Sequence, residues 1–173
     1  MSAFDQAFEI VVGHEGGYSN NSADPGGETK FGISKRSYPN LNIATLTLDQ
    51  AKAIYQTDFW NRAGCDLCDP GLALVLFDAA VNNGVGQAVR WLQAAVGTNA
   101  DGAIGPATKA AIANADPQEA LVAMHAARIH FMAGLSTWST FGRGWSRRLA
   151  HLPYQAAGMT DNTPAVTEQP PAG

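Results

Sequence analysis

One run of the sequence restricts the possible folds more than any other. Between Leu72 and Val81 the only polar residue is Asp78, and the run is bounded by Pro70 on one side and Gly84 on the other. The run is much shorter than the roughly 18–20 apolar residues that cross a membrane. A helix that is apolar nearly all round is buried in the core of a protein. The pattern therefore predicts a central helix with other helices packed around it.

Local start signals predict further helices on both sides of this run. The T-x-x-Q sequence at residues 47–50 is a capping box. Pro106 follows a turn and is expected at the first position of a helix. Asp116 is expected to cap another helix, with Glu119 in its first turn. A last helix is predicted over residues 144–157.

Strand patterns are nearly absent from the sequence. The only stretch that could form strands lies between Gly16 and Ile33, where glycines alternate with polar residues. We therefore predict a mainly α fold: a helical bundle around a buried central helix, with a small β-hairpin or irregular loop after the first helix. Beyond Gly158 the chain is rich in Thr, Pro and Ala, and such a segment is predicted to be disordered.

Charge and cysteine content exclude several classes of function. The net charge of −4 argues against a general nucleic-acid-binding protein. Residues 120–160 contain four arginines and no acidic residue; this segment could approach an anionic polymer, or form a helix face with its own local partners. Cys65 and Cys68 form a single C-x-x-C without a second ligand pair, so we predict two thiols in a loop. No metal and no cofactor is predicted.

The first ten residues do not resemble a secretory signal. They contain Asp5 and Glu9 and no Lys or Arg, whereas a signal begins with basic residues and an unbroken apolar run. We therefore expect a protein that is made in the cytoplasm without a signal peptide. Stable insertion into a membrane is not expected.

The residues with the clearest chemical potential lie between positions 14 and 33. Glu15 follows an apolar run, and burial of a carboxyl group among apolar side chains favours its protonated form. Asp24 lies in a Pro/Gly loop and is expected to be ionised, while Thr29 has a hydroxyl that could position water. A proton donor paired with a second carboxylate is what glycosidic hydrolysis needs. The alternatives are a solvated glutamate, a turn-forming aspartate and a threonine that caps a short helix.

Several strings of residues resemble a known enzyme family. The sequences HEGGY at 14–18, DPGGET at 24–29 and FGI at 31–33 resemble the N-terminal signature of glycoside hydrolase family 108, the N-acetylmuramidases of phage endolysins and related prophage proteins. The spacing of Glu15, Asp24 and Thr29 also resembles the triad of phage-type lysozymes, although it is one residue shorter between Asp and Thr. Further matches extend the resemblance over residues 4–150, including FD-x-AVN-x-G at 77–84, DG-x-IGP-x-T at 101–108 and FGRGW at 141–145.

This resemblance implies a fold, an activity and roles for the site residues. The fold would be lysozyme-like, and the enzyme would cleave peptidoglycan between N-acetylmuramic acid and N-acetylglucosamine. Glu15 would be the general acid, Asp24 would stabilise the transition state or orient water, and Thr29 would hold that water. We expect a catalytic lysozyme-like region at 1–96 and a helical region at 97–157 that resembles a peptidoglycan-binding segment. The two would pack as one domain, followed by a disordered tail at 158–173.

A second group of residues is predicted to bind substrate. Asp78 and Asn82 lie on one face of the central helix, where they could bind sugar N-acetyl groups, steady the loop of Glu15, or form a buried polar pair. Asp101 and Thr108 belong to a string that resembles the core of peptidoglycan-binding modules, but an ordinary turn before a helix also explains them. We assign Tyr18 to substrate binding as well.

The expected partners follow from the same resemblance. They are the glycan strands of peptidoglycan and a holin-like protein that would let the enzyme cross the inner membrane and act on the wall from the periplasm. We expect a monomer that acts as an endolysin in host cell lysis. Two other functions stay open: a lytic transglycosylase that uses Glu15 alone, and a non-catalytic wall-binding protein.

Overall fold

The structure is a computed structural model that describes residues 1–13, 17–20 and 27–159. Glu15, Asp24 and nearly all of the predicted tail therefore lie outside the described residues. The described residues form seven α-helices and one three-stranded sheet. The α-helices are α1 (Ala3–Val11), α2 (Leu48–Tyr55), α3 (Pro70–Asn83), α4 (Val85–Ala95), α5 (Pro106–Asn114), α6 (Pro117–Ala133) and α7 (Trp138–Ala157), and the strands are β1 (Ser19–Asn20), β2 (Glu28–Lys30) and β3 (Ile33–Ser34).

Helix α3 is the buried centre of the fold. Asp69 caps its N-terminus, with a carboxylate oxygen that accepts a hydrogen bond from the backbone N–H of Gly71 at 3.0 Å, and Pro70 occupies its first turn. Every residue from Gly71 to Ala80 is buried. Helices α1, α4, α6 and α7 pack directly against α3. The prediction of a mainly α bundle around a central apolar helix is confirmed.

Aromatic rings join α1 to the central helix. The ring of Phe4 lies 5.4 Å from that of Trp60 and 5.9 Å from that of Phe77, and Trp60 and Phe77 are themselves 5.5 Å apart, all in edge-on geometry. Each such pair contributes about 0.5–1.5 kcal/mol beyond the burial of its area. The N-terminus of α1 is capped by Ser2, which exchanges hydrogen bonds with Asp5. These contacts hold α1 against the central helix.

The small sheet is antiparallel, with the strand order β1-β2-β3. Phe31 and Gly32 form the two-residue turn between β2 and β3, and both have positive φ angles, of 50° and 75°. A tight hairpin turn of this kind requires positive φ at both positions. The hydroxyl of Tyr55 donates a hydrogen bond to the carbonyl of Phe31 at 3.0 Å, and a Cβ on Gly32 would lie only 2.5 Å from that hydroxyl. The hairpin is therefore fastened to the end of α2.

Helix α2 begins as its capping box predicts. The Thr47 hydroxyl accepts from the Gln50 backbone, and the Gln50 side chain accepts from the Thr47 backbone. After Tyr55 the helix widens into a π-helix at Gln56–Asn61, a form that is rare and frequent at functional sites. The apolar pattern of this region predicts one uninterrupted helix, so the change of pitch is a feature that only the structure reveals.

The last helix begins six residues earlier than the sequence predicts. The first turns of this helix contain Thr140, Gly142 and Gly144, residues of low helix propensity. Gly142 lies against the Trp138 indole one turn earlier in the same helix, and a Cβ there would be only 2.8 Å from Cε2 of the indole, so a larger residue would not fit at this position. A single cluster of buried side chains includes residues from both predicted regions, from Phe4 in α1 to Ala156 in α7. Among the described helices, none has the length and apolar character needed to span a membrane.

Candidate active site

A cleft of about 610 Å³ opens between the β2–β3 hairpin, the π-helix and the junction of α3 and α4. It continues into a hollow of about 320 Å³ beside the end of α1, and the two share Gly32, Tyr55 and Val81. We refer to both together as the cleft. The residues that line it are Val11, Val12, Phe31, Gly32, Ile33, Ser34, Ser37, Tyr38, Tyr55, Asp58, Phe59, Arg62, Val81, Asn82, Val85, Gly86 and Arg148.

The wide end of the cleft has a polar wall that the sequence analysis missed. The Tyr38 hydroxyl donates a hydrogen bond to a carboxylate oxygen of Asp58 at 2.7 Å. Burial and this carboxylate raise the pKa of Tyr38, so its hydroxyl stays protonated and continues to orient Asp58. Arg62 lies one helical turn beyond Asp58 and is exposed. These residues belong to no recognisable motif, and only the path of the hairpin brings Tyr38 to them.

The narrow end of the cleft lies where α1 ends. Val11 and Val12 line it, and Gly13, with φ of 71°, turns the chain away from the helix. Glu15 is three residues beyond Val12 in the sequence. Glu15 and Asp24 are outside the described residues, so their catalytic roles stay predictions. The structure shows that α1 ends directly at the cleft.

Thr29 lies in the middle of β2, opposite Ser19 on β1 and Ser34 on β3. It is half-buried, and its hydroxyl donates to the carbonyl of Gly27 at 3.4 Å. The alternative that Thr29 caps a short helix is wrong, since the residue belongs to a strand. The role of Thr29 in holding water stays a prediction. Phe31, two residues further along the chain, lines the cleft.

Tyr18 lies beside the sheet with its ring 45% exposed. Its hydroxyl donates to a carboxylate oxygen of Glu28 at 2.7 Å, and this bond raises the pKa of Tyr18. The residue is exposed, and its contact with substrate stays a prediction.

Asp78 is buried under two arginines. Arg128 from α6 donates to one carboxylate oxygen at 2.5 Å, and Arg148 from α7 donates through Nε to the other at 2.9 Å. Asp78 is only 1% exposed, so a sugar contact would require the carboxylate to leave both guanidinium groups. The geometry therefore matches the alternative of a buried polar group that satisfies structural partners. Arg128 and Arg148, two of the four arginines of the basic segment 120–160, thus pair with the same carboxylate within the protein.

Asn82 occupies a different position from Asp78, one turn further along α3. Its side-chain amide donates to the backbone carbonyl of Asp78 at 2.8 Å, and the residue is exposed and lines the narrow end of the cleft. Its side-chain oxygen accepts no hydrogen bond from any described residue. Asn82 is thus placed where a sugar acetamide could reach it, although the contact itself stays a prediction.

Asp101 and Thr108 hold a turn together through Gln93, a residue that the sequence analysis missed. The buried Gln93 side chain donates to Asp101 at 2.8 Å and to the Thr108 hydroxyl at 3.0 Å, and accepts from the backbone N–H of Gly102 at 2.8 Å. Hydrogen bonds from Gln93 and from the backbone of Ala103 lower the pKa of Asp101. This network accounts for the string at 101–108 as a turn before α5, the structural alternative stated above.

We expect Gln93→Leu to lower the free energy of unfolding by about 1–3 kcal/mol, because it leaves buried polar groups of the turn without partners. Urea unfolding measures the loss. Gln118→Leu is the matched control, since Gln118 is exposed in the first turn of α6 and its side chain holds no such network; this change should stay within about 0.5 kcal/mol. Equal stability of Gln93→Leu and the unchanged protein would show that the network does not stabilise the turn.

The two cysteines lie apart from the cleft, in and after a short 3₁₀ helix at Cys65–Leu67. Both are free thiols. Burial raises the pKa of Cys65 and raises that of Cys68 to about 12, so neither forms a reactive thiolate at neutral pH. Within the described ranges, His, Cys and acidic residues form no group that could hold a metal ion.

Comparison with known proteins extends the resemblance of the sequence. The model of the family described as glycosyl hydrolase 108 matches residues 8–84, and that of the predicted peptidoglycan domain matches residues 87–150. No curated protein matches the chain. Among solved structures, the chain is similar to that of SagA from Brucella abortus, with 32% identity and a TM-score of 0.78 over 90% of this chain and 94% of that one. The chain therefore belongs to the glycosyl hydrolase 108 family.

Proposed function

We propose that this glycosidase is an N-acetylmuramidase, which hydrolyses the β-1,4 bond between N-acetylmuramic acid and N-acetylglucosamine in peptidoglycan. Family membership supports a glycosidase, and the predicted peptidoglycan domain supports peptidoglycan as its substrate. The observation that carries the proposal is the position of the cleft. Most of its lining lies within the family match, and it reaches the end of α1 at Val12, three residues before Glu15.

Glu15 is the general acid in this proposal. It gives a proton to the leaving glycosidic oxygen while positive charge develops on the sugar ring. Asp24 stabilises that charge or orients the attacking water, and Thr29 helps to hold the water. The exposed Tyr18 and Asn82 contact the glycan strand. For this chemistry the Glu15 carboxyl must keep its proton near neutral pH. Apolar neighbours favour the protonated form, and Val11 and Val12 supply an apolar surface at that end of the cleft, whereas the Arg148 cation on the same lining opposes it.

The proposal extends to the organisation and biology of the protein. Residues 1–96 form the catalytic region, and residues 97–157 form a helical region that contributes to wall binding at the turn where Asp101 is exposed; the buried Thr108 supports this turn through Gln93. The protein acts as a monomeric endolysin, reaches the periplasm with a holin-like partner, and lyses the host cell. The shared core of α1 to α7 supports packing of the two regions as one domain.

Product analysis of purified peptidoglycan tests the function directly. The expected products are soluble fragments with reducing N-acetylmuramic acid ends, identified by borohydride reduction and mass spectrometry. Reducing N-acetylglucosamine ends would show cleavage of the other bond. Anhydro-muramic ends would establish a lytic transglycosylase, and sedimentation with walls without any release of fragments would establish a binding protein.

A further inference from the structure

Arg148 lines the narrow end of the cleft although it comes from α7, far along the chain from the other lining residues. It lies within the segment matched by the predicted peptidoglycan domain, whereas Val12 and Asn82 lie within the glycosidase match. Its side chain is 39% exposed. The cleft is therefore completed by a cation that the second half of the protein supplies.

Asp78 holds this arginine in place. Both Nε and Nη2 of Arg148 donate to Oδ1 of Asp78. The other carboxylate oxygen accepts from Arg128, which also donates through Nε to the Asn83 side chain at 2.8 Å. The side chain of Arg128 is 1% exposed, so it cannot meet a ligand. Arg148 is thus a fixed and partly solvated guanidinium at the cleft.

The charges of this cluster do not cancel. One carboxylate faces two guanidinium groups, which leaves a net charge of +1, and the exposed part of that charge belongs to Arg148. The Nη1 group of Arg148 donates no hydrogen bond to any described residue. No acidic side chain among the described residues lines the narrow end, and the acid of the wide end, Asp58, accepts from Tyr38. A planar guanidinium whose Nη1 group donates to none of the described residues is well suited to bind a carboxylate.

We propose that Arg148 binds a carboxylate carried by the glycan strand, and so makes the enzyme prefer wall glycan to a neutral polymer of N-acetylglucosamine. The inference rests on the proposed function. Two groups of peptidoglycan supply such a carboxylate: the lactyl substituent of the muramic residue, where no peptide is attached, and the stem peptide. Both are anionic and both project from the sugar ring, so a cation at the edge of the cleft can meet either of them.

The test compares Arg148→Gln with Arg147→Gln, which removes the same charge from an exposed neighbour outside the cleft. The substrates are soluble glycan strands in which some muramic residues keep their stem peptides and the others have a free lactyl carboxylate, and the same strands with all carboxylates converted to amides by carbodiimide coupling. On the charged strands Arg148→Gln should raise KM on the order of tenfold with kcat nearly unchanged, because a charge-assisted hydrogen bond to bound substrate is lost. Arg147→Gln should change neither constant. On the amidated strands the unchanged protein and Arg148→Gln should have equal KM values.

Arg148→Lys keeps the charge and should recover part of the affinity for charged strands while the affinity for amidated strands stays unchanged, a difference that a merely structural role of the guanidinium would not predict. It also serves as the second variant if Arg148→Gln is poorly folded. Strands whose peptides have been removed by an amidase identify the source of the carboxylate: a low KM for the unchanged protein indicates the lactyl group, and a raised KM indicates the stem peptide.

Three results would overturn the inference: an unchanged KM of Arg148→Gln on charged strands, an equal loss on amidated strands, or a shifted pH profile with unchanged KM. Binding to the same strands, measured by fluorescence anisotropy in a Glu15→Gln background, separates this inference from the proposed function. If the enzyme releases no reducing ends, the proposed function fails. The Arg148 inference is then decided by the ratio of affinities for charged and amidated strands.

Discussion

Replacement of Glu15 by Gln is expected to reduce the hydrolysis of purified peptidoglycan by about 10²–10⁴-fold, the range that a general acid contributes. Glutamine has nearly the same shape but no acidic proton, so the leaving glycosidic oxygen would depart as an unprotonated alkoxide. The measurement is the initial rate of release of reducing ends from purified walls. A loss of this size in kcat, with KM little changed, is the signature of an interaction made in the transition state.

The matched control is Glu119→Gln, which makes the same chemical change at an exposed position of α6 away from the cleft. This variant should hydrolyse walls at the normal rate. Glu15→Gln should still sediment with walls, since binding does not need the proton. If Glu15→Gln clears walls as fast as the unchanged protein, Glu15 is not the acid. If it loses sedimentation together with activity, the residue acts in binding or in folding.

Replacement of Asp78 by Asn should lower the free energy of unfolding by about 3–5 kcal/mol, because loss of one partner leaves buried charge without compensation. Arg128 is almost completely buried and would face a neutral amide, and Arg148 would lose its anchor. Urea unfolding followed by circular dichroism measures the change. A loss this large is exceptional for a single substitution, so the experiment is sensitive to the buried ion pair.

The same cluster predicts an order of effects. Arg128→Gln should cost more stability than Arg148→Gln, because the side chain of Arg128 is 1% exposed and that of Arg148 is 39% exposed and therefore partly solvated. Asp49→Asn, at an exposed position of α2, is the control and should stay within about 0.5 kcal/mol. Equal stabilities of Asp78→Asn and Asp49→Asn would contradict the account of Asp78 as a structural anchor. The reverse order of the two arginines would contradict the account of their burial.

Helix starts are the part of the fold that local sequence predicts well. Thr47 and Asp116 cap helices where expected, and Pro106 occupies the first turn of α5. In each case the capping residue or proline lies within four residues of the helical turn that it starts. The contact that begins the helix can therefore be read from neighbouring residues. The start of α7 lies six residues before the predicted one, because the helix includes Thr140, Gly142 and Gly144 despite their low helix propensity.

The residues of the candidate site also differ in whether nearby sequence or tertiary packing determines their contacts. The motif around Glu15 and the family resemblance indicate a glycosidase from residues that are close in sequence. Helical spacing places Asp78 on the same face of α3 as Asn82, but the partners of Asp78 are 50 and 70 residues away. Tyr38 and Asp58 are 20 residues apart and belong to no motif. Such pairs depend on how whole elements pack, and no local pattern encodes them.

Local patterns were therefore sufficient for the helical class of the fold, the buried central helix, the family and the identity of the expected proton donor. Each of these depends on a periodicity, a cap or a short motif, which neighbouring residues specify on their own. The cleft and its charge were settled by tertiary packing. Packing of α6 and α7 on α3 supplies two arginines to one buried aspartate, and the anchored hairpin brings Tyr38 to Asp58. Among the described residues, the excess of positive charge in the Asp78, Arg128 and Arg148 cluster is a property of the assembled core, because these three side chains come from α3, α6 and α7.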